Sequence, residues 1–156
     1  MATVTLTVNG TRRTVEVEPR RLLADVLRHQ FNCYSVHFGC SHGSCGCCTV
    51  EVDGEARLSC LAFAAQCDGS VVTTVEGLAK DTLHPLQQAF IDHHGLQCGF
   101  CTPGFIMALR QFVGRADEPS DEAIREAMSG NVCRCTGYHG IVEAVRAAIA
   151  ARKGKP

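Results

Sequence analysis

Eleven cysteines in a chain of 156 residues constrain this fold more than any other feature, because eight of them fall into two groups of four. The first group is Cys40, Cys45, Cys48 and Cys60, spaced C-x4-C-x2-C-x11-C. The second is Cys98 and Cys101 in a C-x2-C pair, with Cys133 and Cys135 in a C-x-C pair about one helical hairpin further on. Four thiolates brought together in this way hold a metal centre. The N-terminus is polar and alternating, without the basic and apolar regions of a secretory signal. An odd number of cysteines behind such a start fits a reducing compartment and metal ligation better than a disulfide framework. A bacterial-type cytoplasm is the simplest setting.

The rest of the chain supplies a scaffold for these thiols. Thr3 to Asn9 alternates, with Val4, Leu6 and Val8 on one face; Asn9-Gly10 signals a two-residue hairpin, and Val15 and Val17 carry the return strand. Leu22, Leu23, Val26 and Leu27 recur at helical spacing and predict an amphipathic helix over 20–30. Gly39 to Cys48 is a loop, too rich in glycine for a helix. A strand over 49–53 turns at Asp53-Gly54, its partner strand reaches Cys60, and a last strand spans 70–75. After Gly77 the pattern becomes helical. A short helix is expected over 84–92. Thr102 is a good N-cap with Pro103 at the first helical position, so a second helix runs over 103–112. Ser120 caps a third, with Asp121 and Glu122 in its first turn, and Gly130 ends it. Ile141, Val142, Val145 and Ile149 mark a terminal helix that frays near Gly154. The expected class is α+β, with a sheet domain over 1–77 and an all-helical domain over 78–156.

The first thiol group has the spacing of a plant-type 2Fe–2S ferredoxin site. Backbone N–H groups must approach the inorganic sulfides closely, and Gly39, Gly43 and Gly46 remove the side chains that would block them. Zinc modules usually show two short-spaced pairs instead of this three-plus-one pattern. Cys45-Gly46-Cys47-Cys48 offers two thiols for the third ligand; the x2 spacing favours Cys48 and turns Cys47 away from the centre. Cys33 and Cys67 read as small buried hydrophobes. His42 lies inside the loop, but a Rieske-type centre needs two histidines, and the thiols suffice. His84, His93, His94 and His139 read as surface or helix-end residues.

For the second group, spacing alone leaves a four-cysteine zinc site open. The surrounding residues are more specific. Gln97-Cys-Gly-Phe-Cys-Thr-Pro-Gly104, Asn131-Val-Cys-Arg-Cys-Thr-Gly-Tyr138 and, upstream, Gly39-Cys-Ser-His-Gly-Ser-Cys-Gly-Cys-Cys48 closely resemble the iron–sulfur subunit of the molybdenum hydroxylases. That family includes xanthine dehydrogenase, aldehyde oxidoreductase and aerobic carbon monoxide dehydrogenase. The resemblance spans residues 4 to about 150, with the three motifs in the family's order. Two departures stand out: Cys47, where the family commonly has a small residue such as alanine, and the lead-in Tyr34-Ser35-Val36-His37.

The resemblance implies an N-terminal β-grasp 2Fe–2S ferredoxin domain followed by a C-terminal four-helix-bundle 2Fe–2S domain. Carried over by position, Cys40, Cys45, Cys48 and Cys60 hold the outer cluster, and Cys98, Cys101, Cys133 and Cys135 the inner one. Gly99 lies within the inner motif. Gln97 matches the glutamine that hydrogen-bonds the pterin, an amide being able both to donate and to accept. The molybdopterin cofactor, expected in its cytosine dinucleotide form, belongs to a large partner subunit, and FAD to a medium subunit. A heterotrimer or a dimer of heterotrimers is the implied assembly. The chain's implied role is to pass electrons singly from the molybdopterin centre to FAD or another acceptor. No catalytic residue is expected here: the sequence has no nucleophile–base constellation, phosphate loop or dinucleotide fingerprint. A net charge of −1 and the lack of a basic run argue against nucleic acid, and the apolar runs are too short for a membrane span. A free-standing two-cluster ferredoxin serving another reductase is the alternative, and a zinc-stabilised structural module the third.

Overall fold

A computed structural model describes residues 1–153. The expected fraying near Gly154 lies outside them. Among the described residues, five strands and five α-helices follow the sheet-then-helices order expected of an α+β chain. Strand β1 (Ala2–Val8) pairs antiparallel with β2 (Thr11–Val17) across the Asn9-Gly10 turn, in a register that sets Val4 opposite Val15. Strands β3 (Thr49–Val52) and β4 (Glu55–Leu58) form the second hairpin around Asp53-Gly54. Strand β5 (Val71–Thr73) is inserted between the hairpins, parallel to β1 and antiparallel to β3, giving the order β2-β1-β5-β3-β4. Helix α1 (Leu23–His29) buries Leu23, Ala24, Val26 and Leu27 in one core with Val4, Leu6, Val8, Val50 and Val72. Cys33 and Cys67 are buried in that same core.

The helical part is α2 (Pro85–Asp92), α3 (Thr102–Arg115), α4 (Asp121–Ala127) and α5 (His139–Lys153). A second core of Leu86, Phe90, Phe105, Leu109, Ile124, Ile141 and Val145 joins them. Each large apolar side chain removed from water contributes about 1.5–3 kcal/mol before the entropy of ordering is subtracted. Ser120 caps α4 as expected, its hydroxyl accepting from Ala123 N–H at 3.2 Å. His84 caps α2 in a reciprocal arrangement with Gln87, whose amide oxygen accepts from His84 N–H at 2.9 Å.

Several boundaries differ from the sequence reading. The N-cap of α3 is Cys101, not Thr102. Thr102 is already helical, and its Oγ1 is buried without a hydrogen-bond partner among the described residues. Helix α1 begins at Leu23, since Leu22 is extended and bridges to Phe63. Strand β4 stops at Leu58, and Cys60 sits in a 3-10 turn (Ser59–Leu61), which turns the thiol out of the ladder. Helix α4 ends at Ala127, three residues before Gly130.

The two cores meet through α3, which lies against β3. Arg110 pairs with Glu51, and the Gln111 amide donates to the Gly54 carbonyl. The closest approach is at Gly104. A Cβ there would stand 2.3 Å from the Gly46 carbonyl oxygen and 2.9 Å from Cys47 Cα. Gly104→Ala is therefore expected to cost about 1–3 kcal/mol by overpacking. Gly114→Ala in the same helix, where an added Cβ meets nothing within 4 Å, should be neutral or stabilising by up to about 1 kcal/mol. Thermal melts of the two variants check this; equal destabilisation would contradict the reading of Gly104.

Candidate metal centres

The eight thiols come together as two sets of four, and within each set they pair off. Cys98 and Cys135 are exposed, with their sulfurs 3.6 Å apart. Cys101 and Cys133 are buried against each other beneath them. In the first set Cys48 and Cys60 form the buried pair, while Cys40 and Cys45 are half-buried, with Cys45 N–H donating to Cys40 Sγ at 3.4 Å. Among the described residues no three His, Cys, Asp or Glu side chains gather around a single ion position. A binuclear centre takes two thiolates on each iron, which two close thiol pairs in each set can supply.

Local structure explains how each pair is held. The C-x2-C turn contains Gly99 at φ +81°, a conformation L side chains rarely adopt, and delivers Cys101 to the start of α3. The C-x-C pair follows α4 and precedes α5. Ser59 is fully buried and donates to the Cys48 carbonyl through both N–H (3.3 Å) and Oγ (2.6 Å), which fixes Cys60 beside Cys48. Gly39 provides a cradle: a Cβ there would stand 2.9 Å from Cys45 Sγ. Gly43 lets Leu61 close over the loop and directs its N–H to the Cys60 sulfur. Gly46 is different, because its carbonyl is the busy group.

The electrostatics follow the pairing. Burial, and then the neighbouring Cys48, push the Cys60 thiol up to about 12. Burial and then Cys133 do the same to Cys101, also to about 12. Burial acts against the Cys133 thiolate too, but the Thr136 hydroxyl (3.1 Å) and N–H (3.5 Å) outweigh it, and Cys133 is lowered. Cys40 falls to about 5, held down by the His42 N–H and the Ser44 hydroxyl. Thiols that resist ionising together are relieved by cations between them, so metal binding and folding are coupled here.

Cys47 is buried and packs with the helical core beside Cys101, while its sulfur also lies against Cys45 of the first set, 3.4 Å from where a Gly39 Cβ would stand. Burial, then Cys45, keep it a neutral thiol, with its ionisation pushed up to about 12. His42 is engaged through both ring nitrogens, with the Cys40 carbonyl at 2.7 Å and the Ser44 hydroxyl at 2.8 Å. Gln97 is exposed next to Cys98.

Sequence reasoning assigned no role to the residues that join the two sets. Val132 N–H donates to the Cys45 carbonyl at 2.9 Å. The buried Asn131 amide donates to the Gly46 carbonyl at 3.0 Å, where Thr49 also donates through N–H (3.1 Å) and Oγ1 (2.7 Å). The loop carrying Cys45 and Cys48 is thus bonded to the segment carrying Cys133 and Cys135. An asparagine two residues before a C-x-C motif was the available signal.

Comparison with known proteins agrees with this geometry. Residues 6–73 match the 2Fe-2S iron-sulfur cluster binding domain, and residues 74–146 match the [2Fe-2S] binding domain. The nicotine 6-hydroxylase small subunit of Paenarthrobacter nicotinovorans is 53% identical over 88% of this chain and 84% of its own length. This chain belongs to the small iron–sulfur subunits of the molybdenum hydroxylases. The caffeine dehydrogenase subunit gamma of Pseudomonas sp. (strain CBB1) is 50% identical over 92% of this chain and 88% of its own. A chain in the crystal structure of quinoline 2-oxidoreductase from Pseudomonas putida 86 superposes with a TM-score of 0.91 at 43% identity, covering 99% of this chain and 98% of that one. No helix among the described residues is long and apolar enough to cross a membrane.

The pairing of Cys48 with Cys60 favours Cys48 over Cys47 as the third thiol of the first set. Cys47→Ser should leave both iron–sulfur absorption bands and iron content unchanged, while Cys48→Ser should lower iron by about half. Iron analysis and visible spectra of the two variants check this, and the opposite pattern would reassign the ligand.

Proposed function

We propose that this small subunit conducts electrons, one at a time, between a molybdopterin-binding large subunit and an FAD-binding medium subunit or another acceptor. Cys40, Cys45, Cys48 and Cys60 hold the outer centre in this reading, and Cys98, Cys101, Cys133 and Cys135 the inner one. A 2Fe–2S centre, when bound, takes up and releases single electrons. The observation that carries the reading is the bonded contact between the two sets. From Cys45 the route crosses one 2.9 Å hydrogen bond to Val132, the residue before Cys133.

What the chain's own residues do follows from the geometry. The N–H groups of Cys45 and Gly43, and the hydroxyl and N–H of Thr136, donate toward ligand sulfurs and stabilise their negative charge. Burial of Cys48, Cys60, Cys101 and Cys133 keeps water from half of each set. Cys98, Cys135 and Gln97 form the exposed edge, which supports docking of the pterin there, with Gln97 as its hydrogen-bond partner. We assign residues 1–77 to the ferredoxin-like domain and 78–156 to the helical one. The cytosine dinucleotide form of the cofactor, a heterotrimer or its dimer, and a cytoplasmic location complete the reading. The relatives described above carry the names of nicotine, caffeine and quinoline, which supports a nitrogen heterocycle as substrate of the assembled enzyme.

Electron paramagnetic resonance of the intact complex, reduced stepwise, tests this. Two distinct 2Fe–2S signals are expected, with Cys40→Ser removing one and Cys98→Ser the other. A single signal, or one lost equally in both variants, would contradict it.

A further inference from the structure

The inner set is assembled from two separate segments, 98–101 and 133–135, delivered by different helices. The second segment is tied to the outer-set loop by the Val132–Cys45 bond. The first segment has its own tie, made by a residue that the pairing of thiols does not involve. His37 Nδ1 lies 2.7 Å from the Phe100 carbonyl oxygen. A carbonyl only accepts, so Nδ1 carries the proton. The imidazole also stacks on the Phe100 ring, with centroids 4.5 Å apart and planes inclined by 13°. Phe100 stands between Cys98 and Cys101, and His37 lies three residues before Cys40.

The segment that presents His37 is itself braced. The Arg28 guanidinium donates to the carbonyls of Tyr34 (2.6 Å) and Val36 (3.2 Å) and lies over the Tyr34 ring. Ser35 donates to Glu76 through N–H at 2.8 Å and through its hydroxyl, and Glu76 also receives the Thr74 hydroxyl. Val36 is buried in the sheet core. A fixed arm of the ferredoxin-like domain therefore reaches across to the inner-set turn. On its C-terminal side that turn is held by the Thr102 N–H donating to the Gly99 carbonyl at 3.3 Å, while Cys98 at its other end is exposed.

We propose that His37 is a positioning residue for the inner centre, clamping the Cys98–Cys101 turn at the distance from Cys133 and Cys135 that the centre requires. The inference rests on the reading that these four cysteines bind one 2Fe–2S centre. It gives a task to the lead-in 34–37, and it makes the sheet domain the common reference for both segments of the inner set. The stack and the hydrogen bond contribute separately: the ring fixes the tilt of Phe100, and the N–H fixes its carbonyl.

The test uses the intact complex, comparing wild type with His37→Ala and His37→Phe by redox-titrated electron paramagnetic resonance. His37→Ala is expected to shift the midpoint potential and broaden the signal of the inner centre, leaving the outer signal, and hence the fold around it, unchanged. His37→Phe keeps the stack without the donor and should give a smaller shift in the same direction. Unchanged potential and line shape of the inner signal in His37→Ala would overturn the proposal. So would an equal disturbance of both signals, which marks a general folding defect. If the wild-type complex lacked an inner 2Fe–2S signal, the ligand reading itself would fail, independently of His37.

Discussion

The contact of the Cys45–Gly46 carbonyls with Asn131 and Val132 is the constraint on which the arrangement of the two thiol sets depends. It joins one backbone N–H and one side-chain amide to two backbone carbonyls, and it requires the Gly46 and Gly104 positions to be without side chains. Asn131 is buried, so its amide must be bonded or destabilise the fold by about 1–3 kcal/mol. Three donors converge on the Gly46 carbonyl, which fixes the loop in one place. A short, defined route between centres follows from a rigid contact; a mobile linker would not give one.

Each set carries a gradient of exposure. One pair of thiols is buried and one is partly or fully exposed, which sets an inside and an outside for each centre. Burial, then the neighbouring thiol, raises one member of each buried pair, Cys60 and Cys101, so these sulfurs are held together against their tendency to ionise. The fold supplies that energy through two hydrophobic cores and an interdomain seam made by α3 against β3. Metal binding then adds to stability in the way any ligand specific for the folded state does.

Much of this was legible in the sequence. The two thiol groups were set by spacing, the hairpins by Asn9-Gly10 and Asp53-Gly54, and the α4 cap by Ser120. What was hidden has one physical cause. The acceptors that join the two sets are carbonyls of Cys45, Gly46 and Phe100, and a backbone carbonyl carries no residue-type signal. Their donors lie far away in the chain: Asn131 is 85 residues from Gly46, and His37 is 63 from Phe100. The start of α3 was also misplaced. Local propensity favoured Thr102 as cap, whereas the helix starts one residue earlier, with Cys101 as N-cap beside Cys133. The insertion of β5 between two hairpins was also beyond local pattern, because it depends on pairing with both β1 and β3.

The most direct measurement of the central claim is the metal content of the complex that copurifies with this chain from its native host. Two binuclear centres beside one molybdenum cofactor predict about four irons per molybdenum. Iron present without molybdenum would make the chain a free-standing ferredoxin, and zinc in place of iron would contradict the account.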